Sequence, residues 1–109
     1  MGVPRNPKKA LRAVAASNGR WISVTDEDIL EAMRLLGRTE GVFGEPAGVA
    51  AAAGVVKAAG LGLIRPEETV TLISTGSGLK DVKNALRAAG KPFSSAPDLA
   101  ALEASGALD

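Results

Sequence analysis

The residues with the clearest chemical potential lie at the end of one apolar run. Val70-Thr71-Leu72-Ile73-Ser74 leads into Thr75-Gly76-Ser77-Gly78-Leu79-Lys80-Asp81. With four of its first five residues β-branched or aliphatic, the run reads as a strand buried on both faces, the kind found inside a parallel sheet. In open α/β sheets ligands gather beyond the carboxyl ends of the strands, so Ser74 to Gly78 is where chemistry is expected. Thr75 and Ser77 offer hydroxyls, while Gly76 and Gly78 offer backbone that can approach an anion or a flat ring closely. A dinucleotide fingerprint would place its third glycine at position 81, which is Asp81, so phosphate or nucleotide binding at Gly76 to Gly78 has only an incomplete motif behind it. A turn that simply needs glycine freedom is the competing reading.

Other chemistries are closed off by composition. The 109 residues contain no cysteine and no histidine. Disulfides, thiolate sites, imidazole-based metal binding and Ser-His-Asp catalysis are therefore excluded, and no metal site is expected. Thirteen basic against twelve acidic residues leave a net charge of +1, which predicts neither nucleic acid nor an anionic membrane as partner. Arg5, Lys8, Lys9 and Arg12 cluster, most simply as a solvated helix face. The Met1 end has no basic region followed by an apolar stretch, so no signal peptide is expected. Val49 to Ala59 is too short and interrupted to cross a bilayer. A soluble, cytoplasmic protein is the expectation.

Around the central run the chain divides into short elements. Gly2 to Pro7 reads as an irregular lead-in, and Lys8 to Ala16 as a helix stopped by Asn18-Gly19. Trp21 to Val24 is short and β-prone. Thr25 stands three residues before Asp28, ahead of Ile29, Leu30, Met33 and Leu36 at helical spacing, which predicts an amphipathic helix from Asp26 to about Gly37. Gly41 to Gly44 reads as a loop or a very short extended piece. Glu45-Pro46 opens a helix to about Ala59, so rich in alanine, glycine and valine that it suits close approach of backbone to backbone or to a flat ligand. A helix from Leu79 to Ala89 should end at Gly90, Lys91-Pro92 should break the chain, and Pro97 to Ser105 reads as a last short helix.

The fold class implied is α/β: a partial parallel sheet of about two strands, Trp21–Val24 and Val70–Ser74, flanked by helices. With twenty alanines and three aromatic residues (Trp21, Phe43, Phe93) the core should be shallow. Two strands are thin for an independent parallel sheet. Residues 1–109 are therefore expected to be a single domain that oligomerises, or a fragment of something larger.

Four collinear segments carry a family resemblance. Thr75-Gly76-Ser77-Gly78-Leu79-Lys80-Asp81 resembles the C-terminal Thr-Gly-x-Gly-Leu-Lys-Asp signature of threonine synthases, pyridoxal-phosphate enzymes of the tryptophan-synthase-β-like fold (fold type II). Glu40-Gly41-Val42-Phe43-Gly44-Glu45-Pro46-Ala47 resembles the family's Glu-Gly-Ile-Phe-x-Glu-Pro-Ala. Val24-Thr25-Asp26-Glu27-Asp28-Ile29 is similar to Val-Ser-Asp-Glu-Glu-Ile, and Lys9-Ala10-Leu11-Arg12-Ala13 to the family's Lys-Ala-Leu-Arg-Ala helix. The match runs from about residue 2 to 83, and the tail from 91 to 109 has no counterpart.

The resemblance implies part of a fold type II cofactor domain. It implies that the Thr75 hydroxyl meets the pyridine nitrogen of pyridoxal phosphate, that Gly76 and Gly78 let the backbone pass close to the ring, and that Glu45 plays a supporting part. A neutral hydroxyl can hydrogen-bond that nitrogen without keeping it fully protonated as a carboxylate would. The complete enzymes convert O-phosphohomoserine and water to threonine and phosphate. Their cofactor-tethering lysine and phosphate cup belong to upstream motifs absent here. Lys80 maps to the C-terminal signature and is not that lysine, and Ser77 stands where the family often has histidine. No catalytic residue is therefore assigned, no covalently bound cofactor is expected, and the chain alone is expected to be inactive until a missing N-terminal segment or other chain completes it. The alternative is a non-catalytic module that kept the fold for homo-oligomerisation or partner binding.

Overall fold

The structure is a computed structural model that describes residues 4–90 and 92–107. Gly2 and Val3 of the expected lead-in, and Lys91 of the expected break, lie outside the described residues. Among the described residues five α-helices follow in order: α1 (Pro7–Ala16), α2 (Asp26–Glu40), α3 (Pro46–Gly60), α4 (Val82–Ala89) and α5 (Leu99–Ala104), with a 3-10 turn at Gly78–Asp81 directly before α4.

Each central helix starts and stops for a local reason. Thr25 caps α2: its hydroxyl accepts from the Asp28 N–H at 3.1 Å, and the Asp28 carboxylate accepts from the Thr25 N–H at 2.8 Å. That reciprocal pair satisfies two of the donors a helix start leaves open. Gly41, with φ +65°, closes α2 in the left-handed conformation. Pro46 occupies the first turn of α3, where its missing N–H costs nothing. Asp81 accepts from the Asn84 N–H at 3.2 Å and starts α4.

The core lies between α2 and α3. Leu30, Ala32 and Met33 from α2 meet Val49, Ala52 and Ala53 from α3, with Val24, Ile29, Leu36 and Ala88 packed around them. Small side chains on α3 let the two helices approach closely. α4 packs against α2 as well, with Ala88 at the edge of the core. Arg34 fastens it there: Nε donates to the Ala88 carbonyl at 2.8 Å and Nη2 to the Arg87 carbonyl at 3.3 Å, while Glu27 and Glu31 pair with Nη1. Neither α1 nor α5 buries a residue.

The expected partial parallel sheet is overturned. Among the described residues there is no strand, and the sole sheet-like pairing is an isolated antiparallel bridge between Gly44 and Ser77. Trp21–Val24 runs outside any ladder and is tied to α3 instead, Lys57 Nζ donating to the Ser23 carbonyl at 2.8 Å. Val70–Ser74 likewise has no ladder, and Val70, Leu72 and Ile73 are 43%, 36% and 75% exposed. The physical reason is that an apolar run records a need for cover on both faces, whereas a strand also needs a neighbour to exchange hydrogen bonds with. The two runs form no ladder with each other, so neither supplies the other's edge.

The molecule is consequently open. Its radius of gyration is 18.0 Å, with extents of 61 × 33 × 18 Å, against about 13 Å for a compact chain of this length. It exposes 8551 Å², where a compact monomer of this mass exposes about 5,600 Å². No helix among the described residues is long and apolar enough to cross a membrane.

Candidate functional site

The start of α3 and the segment Ser74–Gly78 are built into one another. Two backbone hydrogen bonds join them: the Glu45 N–H donates to the Gly76 carbonyl at 3.2 Å, and the Gly78 N–H to the Phe43 carbonyl at 3.0 Å. Between these bonds sits the Gly44–Ser77 bridge. The Ser77 hydroxyl accepts from the Leu79 N–H at 3.3 Å and starts the 3-10 turn.

Glycine makes this interlock possible, because every gap a side chain would need is already filled. A methyl group on Gly48 would fall inside the Thr75 carbonyl group, on Gly76 it would overlap the Glu45 carboxyl, and on Gly78 it would lie 2.5 Å from the Phe43 ring. Gly76 also has φ +71°, a conformation L-residues avoid. The close approach of backbone to backbone expected of α3 therefore occurs at Gly48 against Thr75.

The expected site residues come together as one group. Thr75 is exposed with its backbone against Gly48, Glu45 is half-buried with its carboxyl against Gly76, and Gly78 is buried. The room at Gly76 and Gly78 belongs to Glu45 and Phe43 of the same chain. Two contributors lie outside the expected site residues: Phe43, an aromatic of the Glu40–Ala47 segment, and Gly48. The signal for Gly48 was its small size in the first turn after Pro46, and for Phe43 an isolated aromatic in a chain with three.

Beside this group lies a groove of about 430 Å³ lined by Asp26, Pro46, Ala47, Asp81, Asn84 and Arg87, among others. Asp81 is held below the usual carboxylate range, chiefly by the Asn84 side-chain amide and then the Asn84 N–H, with Lys83 and Arg87 adding to it. Asp28 is held low in the same way, by the Thr25 N–H and hydroxyl and then Lys57. Both carboxylates are occupied in starting helices, and Asp81 of the signature heptad acts as a structural cap. Lys80 lies exposed within the 3-10 turn.

Comparison with known proteins gives a consistent answer. A family described as "Pyridoxal-phosphate dependent enzyme" matches residues 1–76. The chain is 45% identical over 93 residues to a threonine synthase of Methanocaldococcus jannaschii, 85% of this chain and 23% of that protein. It is 47% identical over 81 residues to a threonine synthase of a Bacillus species, 74% of this chain and 23% of the relative. A threonine synthase of Mycobacterium leprae is 44% identical over 87 residues, 80% of this chain and 24% of its own length. The chain thus spans about a quarter of the length of the curated relatives it matches.

Proposed function

The chain belongs to the pyridoxal-phosphate dependent enzyme family, and from that membership we propose that it supplies the pyridine-nitrogen side of a threonine-synthase-like cofactor site. Polypeptide equivalent to the other three quarters or so of its relatives completes that site. The observation that carries the reading is the exposed Thr75, next to a turn whose backbone is pinned at Gly76 by Glu45 and at Gly78 by Phe43.

The residues present fit the group at this point. Thr75 has an open side chain, and its neutral hydroxyl can donate to a ring nitrogen. Glu45 and the two glycines fit as support: they fix the backbone around Thr75 and leave no space of their own for a ring. When bound, pyridoxal phosphate supplies an electron sink for charge developing beside the amino-bearing carbon of an amino-acid substrate. Thr75 would hold the ring nitrogen through one neutral hydrogen bond, which would leave that nitrogen short of full protonation. Glu45 holds the Gly76 turn from below. The covalent tether and the phosphate cup lie on the complementing polypeptide, and the substrate of the assembled enzyme is O-phosphohomoserine.

Reconstitution tests this reading. The chain is mixed with the M. jannaschii threonine synthase shortened by its matching segment, together with pyridoxal phosphate and O-phosphohomoserine. Phosphate release is expected from the mixture and from neither component alone. Thr75→Val is expected to weaken pyridoxal-phosphate binding by the mixture about fivefold, the worth of one neutral hydrogen bond of about 1 kcal/mol. A borohydride-stable adduct at one specific lysine of the isolated chain would overturn the assignment of the tether.

A second reading, a non-catalytic module that binds a partner or a second copy, is favoured by the large surface left open. Light scattering separates the two. A stable complex of the chain with itself, unable to pair with the shortened relative, would favour the module.

A further inference from the structure

We propose that Phe43 is a positioning residue for the Thr75 turn, an inference that rests on reading Thr75 as the ring contact and extends that site by one residue. Phe43 meets the signature turn twice. Its carbonyl accepts from the Gly78 N–H at 3.0 Å, and its ring fills the place where a side chain at position 78 would stand, 2.5 Å from that position.

The burial pattern assigns the ring its task. Gly78 is buried while Thr75, Gly76, Ser77, Leu79 and Lys80 around it are all exposed. Phe43 itself remains 49% exposed. A large apolar side chain left half in water contributes less burial than one in the core, and here the buried half covers Gly78. The ring also lines a groove of about 350 Å³ with Met33, Arg38, Ala85 and Ala88, between α2 and α4. Phe43 therefore sits where the turn meets the helical body.

The consequence for Thr75 follows from the chain path. Gly76 is pinned by Glu45, and Gly78 by Phe43, with Ser77 bridged to Gly44 between them. Loosening Gly78 frees one end of that three-residue clasp, and the direction in which Thr75 presents its hydroxyl is no longer fixed. No contact between Phe43 and the ligand is needed. The role is one of orientation.

The test uses the full chain in solution without cofactor. Amide exchange is measured at Gly78 and Glu45, the Thr75 side-chain rotamer is read from scalar couplings, and Met33 and Ala53 amides report the core. In Phe43→Ala, protection at Gly78 and Glu45 should fall at least tenfold and the Thr75 rotamer should average, with Met33 and Ala53 unchanged. Phe43→Tyr keeps the ring and should restore both readouts. Unchanged protection and a fixed Thr75 rotamer in Phe43→Ala would overturn the proposal. So would an equal loss at Met33 and Ala53, or failure of the tyrosine variant to restore the turn. Pyridoxal phosphate is titrated separately into the mixture with the shortened relative. Absence of binding by the unsubstituted chain there would sink the cofactor reading and leave the orientation role to be judged on the exchange and coupling data.

Discussion

Gly41 and Gly76 have nearly the same backbone conformation, φ +65° and +71°, in different surroundings. A methyl group on Gly41 meets open space, whereas on Gly76 it overlaps the Glu45 carboxyl. Gly41→Ala should cost about 1–2 kcal/mol, the penalty for an L-residue in the left-handed region. Gly76→Ala should cost more, because Glu45 must also move. Urea midpoints of the two variants check this, and equal losses would mean that Glu45 yields freely. The signature glycines were legible in the sequence but their neighbours were not. Spacing identified backbone that must pass close to something, and only the fold assigns that something to Glu45 and Phe43. The two helix-starting carboxylates make a pH prediction at the same scale. Asp28 and Asp81 are lowered in the folded chain by hydrogen bonds from Thr25 and Asn84. Their contribution is present above the ordinary aspartate value of about 3.9 and is lost as pH falls through the lower folded values. Carboxyl titration by NMR should give midpoints below about 3.9 at both residues, with the starts of α2 and α4 loosening as each is protonated.

At the level of elements the helices were largely readable. Thr25 and Asp28 announced α2 and Pro46 announced α3, but α2 runs through its expected stop at about Gly37 to Glu40 and closes at Gly41. Thr25→Ala should cost about 1 kcal/mol by thermal unfolding, since the hydroxyl satisfies an otherwise open donor. The expected helix from Leu79 splits into a 3-10 turn and α4 because Asp81 turns back to receive Asn84. An acidic residue inside an apparently continuous pattern was the local clue. The two expected strands failed for a different reason. Hydrophobicity reports a demand for burial, and the residues meant to satisfy it at Val70 to Ser74 are not found among those described. Arg34 joins α4 to α2 across more than fifty positions of chain, a contact invisible to local pattern. Replacing it with methionine should speed amide exchange throughout α4 while leaving the α2–α3 core slow. Equal acceleration in α3 would show that Arg34 holds the whole bundle together.

For the molecule as a whole, the surplus of exposed surface over a compact chain is the dominant fact. At nearly 3,000 Å², by comparison with the size scaling of monomers, it far exceeds the roughly 800 Å² that each partner contributes to a standard interface. Pairing with the shortened relative should therefore shrink the hydrodynamic radius per unit mass as well as form a complex, which small-angle scattering can check. The uncovered stretch from Val70 to Ile73 carries a liability of its own. Four β-branched or aliphatic residues with no charge among them suit cross-β stacking. Kept without its complement at high concentration, the chain should seed amyloid-like fibrils through this stretch. Thioflavin fluorescence should rise after a lag that Leu72→Lys abolishes, so purification yield becomes a second reporter of whether the complement is present.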